Sequence, residues 1–300
     1  GHNAEKYLSE AICSVLSQTY TNFELIFFDN YSDDLTAEIV KSFSDERIKY
    51  YRSSQFLSLG EARNQAIQLS TGEFIAFLDC DDIWLDNKLE RQIPIFESHK
   101  VGIVISDSIF FSEKGDIKKL YGRRYPPQGL VFRNLINNYF ISLETAVVRR
   151  DALLSLDHCF DGRFSLIEEY DLFIRLAYHW ELICVREVLA KWRVHASSWT
   201  WSRRELFIEE REVFKDKLIK CFPDFTQADF PKEYRSLDRM IAWEKARKAW
   251  VKGNNSLARN FISQYRFDNI KWLVIYAFTF LDISVARTIF RVIGKDYYLQ

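Results

Sequence analysis

Apolar and polar positions along the first hundred residues alternate between two periods. Leu8, Ile12, Val15, Leu16 and Thr19 recur at helical spacing, which predicts an amphipathic helix over about Glu5–Ser17. Phe23-Glu24-Leu25-Ile26-Phe27-Phe28 is instead a short, nearly continuous apolar run, the pattern of a strand covered on both faces. The alternation continues as helix Leu35–Phe43, strand Ile48–Arg52, helix Gly60–Leu69, strand Phe74–Leu78, helix Asp86–Phe96 and strand Val101–Ser106. Strands separated by helices predict an α/β fold, a mostly parallel sheet flanked by helices. From about residue 107 the pattern loosens. Asp107–Tyr125 reads as a hairpin or loop ending at Tyr125-Pro126-Pro127, Thr145–Arg149 as a strand, and Glu168–Tyr178 as a strongly amphipathic helix. Two short strands are expected at Leu182–Val185 and Leu189–Arg193. After Ser202 the composition turns helical and basic. That places a domain over 1–202 and a helical C-terminal region over 203–300, with helices at Arg204–Cys221, Arg235–Val251 and Lys271–Ile293.

Composition narrows the class without choosing a function. With 48% hydrophobic and 28% charged residues the chain is an ordinary globular one, and wholesale disorder is excluded. A net charge of −1 gives no global field for nucleic acid, yet it hides an asymmetry. Residues 1–200 carry 22 Lys and Arg against 29 Asp and Glu; residues 201–300 carry 19 against 13. An acidic front suits cation handling and a basic back suits an anionic surface. The five cysteines are scattered and form no CxxC pair, so a reducing, cytoplasmic setting is expected. No signal peptide is expected ahead of the first helix. The longest strongly apolar stretch, Trp272–Leu281, is ten residues, where a bilayer span takes about 20.

Acidic residues stand directly after two of the predicted strands. Asp29-Asn30-Tyr31-Ser32-Asp33-Asp34 follows Phe28, and Asp79-Cys80-Asp81-Asp82 follows Leu78. Open α/β sheets bind ligands at the carboxyl ends of their strands, so both clusters are expected to face one crevice. Two carboxylates about 4 Å apart repel by on the order of 4 kcal/mol at an effective dielectric near 20. A divalent cation removes that repulsion, and oxygen ligands suit Mg²⁺ or Mn²⁺ held together with substrate phosphates. The same four residues would also make an acidic turn capping the Asp86 helix. Asp29 would accept from a nucleobase or ribose, or cap the following helix with Ser32 or Asp34. Arg63 would pair with phosphate, with an Asp, or in a surface salt bridge. Glu168-Glu169-Tyr170-Asp171 opens a helix whose dipole alone accounts for it, or supplies a general base. His195 is a ligand, an anion contact, or structural. Trp243, Trp250 and Trp272, with nearby Lys and Arg, would face an anionic membrane, or the C-terminal helices would pack on the catalytic domain. No dinucleotide glycine motif, phosphate-binding Walker loop, GxSxG or HExxH occurs.

Taken in order, these motifs resemble those of the family 2 glycosyltransferases. The resemblance is carried by Asn3-Ala4-Glu5-Lys6-Tyr7-Leu8, Ser14–Tyr20, Phe23–Ile26, Asp29, Ser32-Asp33-Asp34, Ala62-Arg63-Asn64, Gly72–Asp82, Glu168–Leu172, and Arg193-Val194-His195 with Ser198. It covers about residues 3–200 and implies a GT-A fold. It also implies an inverting transfer from a nucleotide-diphosphate sugar, with a UDP-sugar expected, to a glycan or lipid-linked acceptor in surface polysaccharide synthesis. By resemblance Asp29, Arg63 and Asp79 contact the nucleotide, and Asp79 and Asp81 form a DxD motif on Mn²⁺ or Mg²⁺ with His195 as a further ligand. Glu169 stands at the catalytic position, with Asp171 as its rival.

The sequence departs from the family in three places. The family's opening strand and Pro-x-Tyr-Asn turn have no counterpart ahead of Gly1-His2-Asn3, so either the chain is truncated or the sheet is completed differently. Asp29-Asn30-Tyr31 replaces a commoner Asp-Asp-Gly, and Glu168-Glu169 replaces Glu-Asp. Two other readings compete: a non-catalytic nucleotide- or sugar-binding protein, and a phosphatase-like hydrolase with Asp79 as nucleophile.

Overall fold

The computed structural model describes residues 1–195 and 206–292. Ser198, the boundary expected near Ser202 and the start of the Arg204 helix lie outside the described residues. The chain divides into two compact units, Gly1–Ala196 and Ser197–Gln300.

The first unit opens with α1 (Leu8–Leu16), β1 (Leu25–Asp29), α2 (Thr36–Ser42), β2 (Ile48–Arg52), α3 (Leu59–Leu69) and β3 (Phe74–Ala76), in the order the periodicity predicts. In α1, Leu8, Ala11, Ile12 and Val15 fall on one face and are buried. A capping box starts α3: the Glu61 N–H donates to the Ser58 hydroxyl, and the Ser58 N–H donates to the Glu61 carboxylate. Strands β1 and β2 pair in parallel from Leu25 opposite Ile48 to Asp29 opposite Arg52.

Next come β4 (Ile83–Trp84), α4 (Lys88–Gln92) running into a 3₁₀ turn at Ile93–Glu97, β5 (Val101–Ser112), β6 (Gly115–Lys119), α5 (Phe132–Asn137), β7 (Val147–Arg149), α6 (Arg150–Leu154), α7 (Glu168–Ala177) and β8 (Glu181–Arg193). The second sheet has the order β3-β7-β5-β8-β4, with β6 paired to β5. Within the named strands fifteen residue pairs are parallel and eleven antiparallel. The parallel majority comes from β1 with β2 and from the long β5–β8 pairing. Residues 101–108 of β5 are buried without interruption, as a strand covered on both faces requires.

Two expectations change here. The pair of short strands at Leu182–Val185 and Leu189–Arg193 is one strand, β8, whose register against β5 shifts around Asp107. Helix α7 is buried nearly all round instead of on one face, because its polar residues Glu168, Asp171 and Arg175 are paired inside the protein.

The second unit contains α8 (Leu206–Cys221), α9 (Pro231–Val251), α10 (Asn255–Ile262), α11 (Ile270–Phe278) and α12 (Ile283–Val292). The single helix expected over Lys271–Ile293 is thus two. Trp250 and Trp272 are buried with Ala246, Ala258 and Ile262, and Trp243 packs against that cluster. Trp250 and Trp272 thus belong to the unit's core, which corrects the alternative that placed the three tryptophans on a membrane-facing surface. Exposed apolar side chains include Phe267, Ile270, Leu273, Val274 and Phe280 on and beside α11, with others such as Val213, Leu257 and Val285 on the remaining helices. Among the described residues no helix is long and apolar enough to cross a membrane.

Candidate active site

The end of β1 is shaped by Asp29, whose side chain has no exposure. One oxygen accepts from the Ser32 N–H at 2.9 Å and the other from the Tyr50 hydroxyl at 2.6 Å, with Arg52 Nε 3.8 Å away. Burial pulls its proton affinity upward, but the Ser32 and Tyr50 hydrogen bonds and Arg52 outweigh that and hold it below the usual carboxylate value. Asp29 therefore fixes the turn that follows and presents no oxygen to solvent. The N–H of Thr36, the first residue of α2, donates to Asp34 Oδ1, so the capping role considered for Asp29 falls to Asp34.

Within that turn Tyr31 has φ +64°, the left-handed conformation, where the family's commoner residue is Gly. That conformation costs an L-residue roughly 1–2 kcal/mol, part of which glycine's larger unfolded-state entropy would offset. Tyr31→Gly should raise unfolding stability by about 1 kcal/mol in a urea titration. A loss would show that the Arg52 guanidinium over the Tyr31 ring, 5.8 Å from its centroid, outweighs the strain.

Beyond β3 the acidic residues separate into distinct environments. Asp79 is half exposed and accepts from Arg63 Nη2 at 2.8 Å; Arg63 Nη1 reaches the buried Glu168 Oε1 at the same distance. Asp81 lies 2.8 Å from His195 Nε2. Asp82 is buried, accepting from the Arg193 N–H at 2.8 Å. The Arg193 guanidinium in turn donates to the Asp81 carbonyl and to Glu10. Strand β8 thus delivers Arg193 and His195 onto the loop after β3.

Negative charge in this cluster exceeds the positive charge near it. Burial, then the carboxylates of Glu144, Asp79 and Asp81, pushes the Asp82 carboxyl well above its ordinary range. Glu169, half-buried at the start of α7, is pushed up to about 8 by burial and by Glu168, Asp79 and Glu144, against the opposing pull of Arg63. Burial lowers the affinity of Arg63 for its proton, but Asp79 and Glu168 reverse that and hold it charged. Among the described residues no group of three His, Cys, Asp or Glu is placed to hold a metal ion by itself.

Of the residues singled out from the sequence, the structure joins Arg63 to Asp79 and Asp81 to His195, and Glu169 feels the charges of Glu168, Arg63, Asp79 and Glu144. Asp171 is a correction. It is fully buried and paired with Arg175 at 2.7 Å, and Arg175 also donates to the carbonyls of His158 and Cys159. Its carboxylate holds the loop before α7 and is not available as a base. Sequence reasoning missed Glu144 and gave Asp82, Glu168 and Arg193 no part of their own beyond the motifs they stand in. Glu144 comes from a 3₁₀ turn at Leu143–Thr145 that periodicity does not show, and no spacing signal links it to Asp82.

The profile described as Glycosyl transferase family 2 matches residues 2–157. The chain belongs to that family. Escherichia coli WfgD, a UDP-Glc:alpha-D-GlcNAc-diphosphoundecaprenol beta-1,3-glucosyltransferase, is 35% identical over 175 residues, 58% of this family member and 66% of WfgD. The match spans just under two thirds of that relative. S. aureus TarS 1-349, solved in complex with UDP-GlcNAc, has a TM-score of 0.66 at 18% identity, covering 87% of this chain and 78% of that one. The mannosyltransferase PcManGT from Pyrobaculum calidifontis, solved with GDP-Man and Mn2+, has a TM-score of 0.63 at 16% identity, covering 100% and 82%. Both likenesses give this family member a GT-A-type fold with a helical C-terminal region.

Proposed function

We propose that the chain is an inverting glycosyltransferase that moves a sugar from a nucleoside-diphosphate donor, a UDP-sugar, to a hydroxyl of a lipid-linked glycan. The observation that carries this reading is the pairing of Asp79 with Arg63 and of Asp81 with His195 on the loop after β3, with Glu169 feeling the charges of Arg63 and Asp79. Sequence similarity to WfgD supports the donor and the acceptor class. The phosphatase-like reading loses ground because Asp79 is tied to Arg63 and is not poised as a free nucleophile.

A divalent cation would be held by Asp79 and Asp81, the latter beside His195, together with oxygens of the donor's diphosphate, since no three described side chains are placed to hold it by themselves. When bound, Mn²⁺ or Mg²⁺ would supply positive charge beside the donor's diphosphate, whose oxygens complete its ligand set. Arg63 orients Asp79 and Glu168 and stands within reach of a phosphate. Glu169 takes the proton of the acceptor hydroxyl as that oxygen attacks the anomeric carbon from the face opposite the leaving group. Asp29 acts at one remove, by fixing the turn through Ser32.

The acceptor's lipid places the reaction at a membrane surface. On α11, Ile270, Leu273 and Val274 lie at helical spacing and are exposed, with Phe267 and Phe280 beside them. The chain after residue 200 has an excess of six positive charges, which suits anionic headgroups. With labelled UDP-sugars and a diphosphate-lipid acceptor in phosphatidylglycerol vesicles, label should enter the lipid. Ile270→Asp should slow that transfer about tenfold while sparing hydrolysis of the donor in solution. Equal loss of both activities would remove the membrane role, and binding of donors without any transfer would favour a non-catalytic module.

A further inference from the structure

Past its buried stretch, β5 runs on to Ser112 and turns back as β6, whose five residues are all exposed. Charge changes sign here. From Lys114 to Arg124 the chain carries five Lys and Arg against a single acid, Asp116, inside a first 200 residues that are acidic as a whole. Asp116 is itself paired with Lys191 at 3.3 Å.

At the end of this segment Tyr121-Gly122-Arg123-Arg124 forms a tight turn. The Arg124 N–H donates to the Tyr121 carbonyl at 3.1 Å, and Gly122 has φ +60°, a conformation glycine adopts at no steric cost. Tyrosines pin the turn on both sides. The Tyr121 N–H donates to Asp107 Oδ1 at 2.9 Å and its hydroxyl to the Phe140 carbonyl at 2.6 Å. The Tyr125 hydroxyl donates to the Arg186 carbonyl at 3.2 Å. Arg123 and Arg124 are exposed, and among the described residues neither guanidinium has a carboxylate, carbonyl or ring partner. Arg63, Arg91, Arg149 and Arg193 of the same unit each have a carboxylate. The Tyr121 anchor also leads toward the proposed base. Phe140 follows Tyr139, whose ring lies 4.9 Å from that of Tyr170, the residue after Glu169. The Tyr139 hydroxyl is buried without a hydrogen-bond partner, and burial, then Glu169 and Glu168, raises its affinity for its proton.

We propose that Arg123 and Arg124 bind the diphosphate of a lipid-linked acceptor. The inference rests on the proposed transfer to such an acceptor and names the group that the chain would grip. A guanidinium offers parallel N–H groups that match phosphate oxygens, and two adjacent ones suit two linked phosphates. The donor's diphosphate is provided for at the loop after β3, so the turn serves a second one. Anionic headgroups would be met as well by flexible lysines spread over a face. A pinned pair tied to the Tyr139 wall is instead preorganised for one ligand.

The test titrates decyl diphosphate, with EDTA present and no donor, into the native chain and into Arg123→Gln/Arg124→Gln. The variant should bind at least about tenfold more weakly, while UDP with Mn²⁺ binds both alike. Arg123→Lys/Arg124→Lys keeps the charge without the fork and should recover part of the affinity. Equal affinity of the native chain and the Gln variant for decyl diphosphate overturns the proposal. A parallel fall in UDP binding also overturns it, since the turn would then hold the donor. So does a variant that loses only its binding to phosphatidylglycerol vesicles, which would make the pair a headgroup contact. Binding is read without turnover, so a failure here is distinguishable from a failure of sugar transfer.

Discussion

Glu169→Gln should lower sugar transfer by roughly 10²–10⁴-fold, the range a positioned general base contributes, while donor binding is retained. The amide keeps the shape of the side chain and removes only its capacity to take a proton. The native pH profile follows from the same residue. Burial, with Glu168, Asp79 and Glu144 close by, pushes the Glu169 carboxyl up to about 8. A base works deprotonated, so kcat/KM should climb as pH rises through about 8 and level off above it. In the Gln variant that limb should vanish along with the rate. A variant with near-native turnover, or one with the limb intact, would show that another group takes the proton.

Arg63→Ala should be the most destabilising single change in the cluster. Arg63 is mostly buried and holds Asp79 and Glu168 at 2.8 Å each. Removing one partner of a buried ion pair costs about 3–5 kcal/mol, chiefly because the remaining charge is stranded. Here the stranded group is Glu168, whose Oε2 is already buried without a hydrogen-bond partner. A carboxylate stranded without its guanidinium partner costs more when ionised than when neutral. Urea titrations at pH 5 and pH 8 should show the larger loss at pH 8. Arg63→Lys keeps the charge but not the two-pronged geometry, and should fall between. Equal losses at both pH values would point to lost packing against the Phe160 ring instead.

The first hundred residues were legible because their elements are local. A strand such as Leu25–Asp29 or a capped helix such as Leu59–Leu69 carries its own period and start signal, and acidic residues at strand ends follow from register. What stayed hidden depends on distant partners. Ile83–Trp84 is too short to have a period and is a strand only because it pairs with Ala190 and Lys191. Asp171 and Glu169 are two residues apart and equally acidic in sequence. One is fully buried against Arg175 and the other is half-buried and feels the charges of Glu168, Arg63 and Asp79, a difference set by packing around α7. Trp250 and Trp272 show the same limit: aromatic residues beside Lys and Arg read as a surface until the helices they join are seen to close over them.

The most direct measurement is a calorimetric titration of UDP into the chain with and without Mn²⁺, repeated with Asp81→Asn. The account predicts binding that Mn²⁺ strengthens at least about tenfold, with that gain lost in the variant. Equal affinity with and without the ion, or a gain that survives Asp81→Asn, would contradict it.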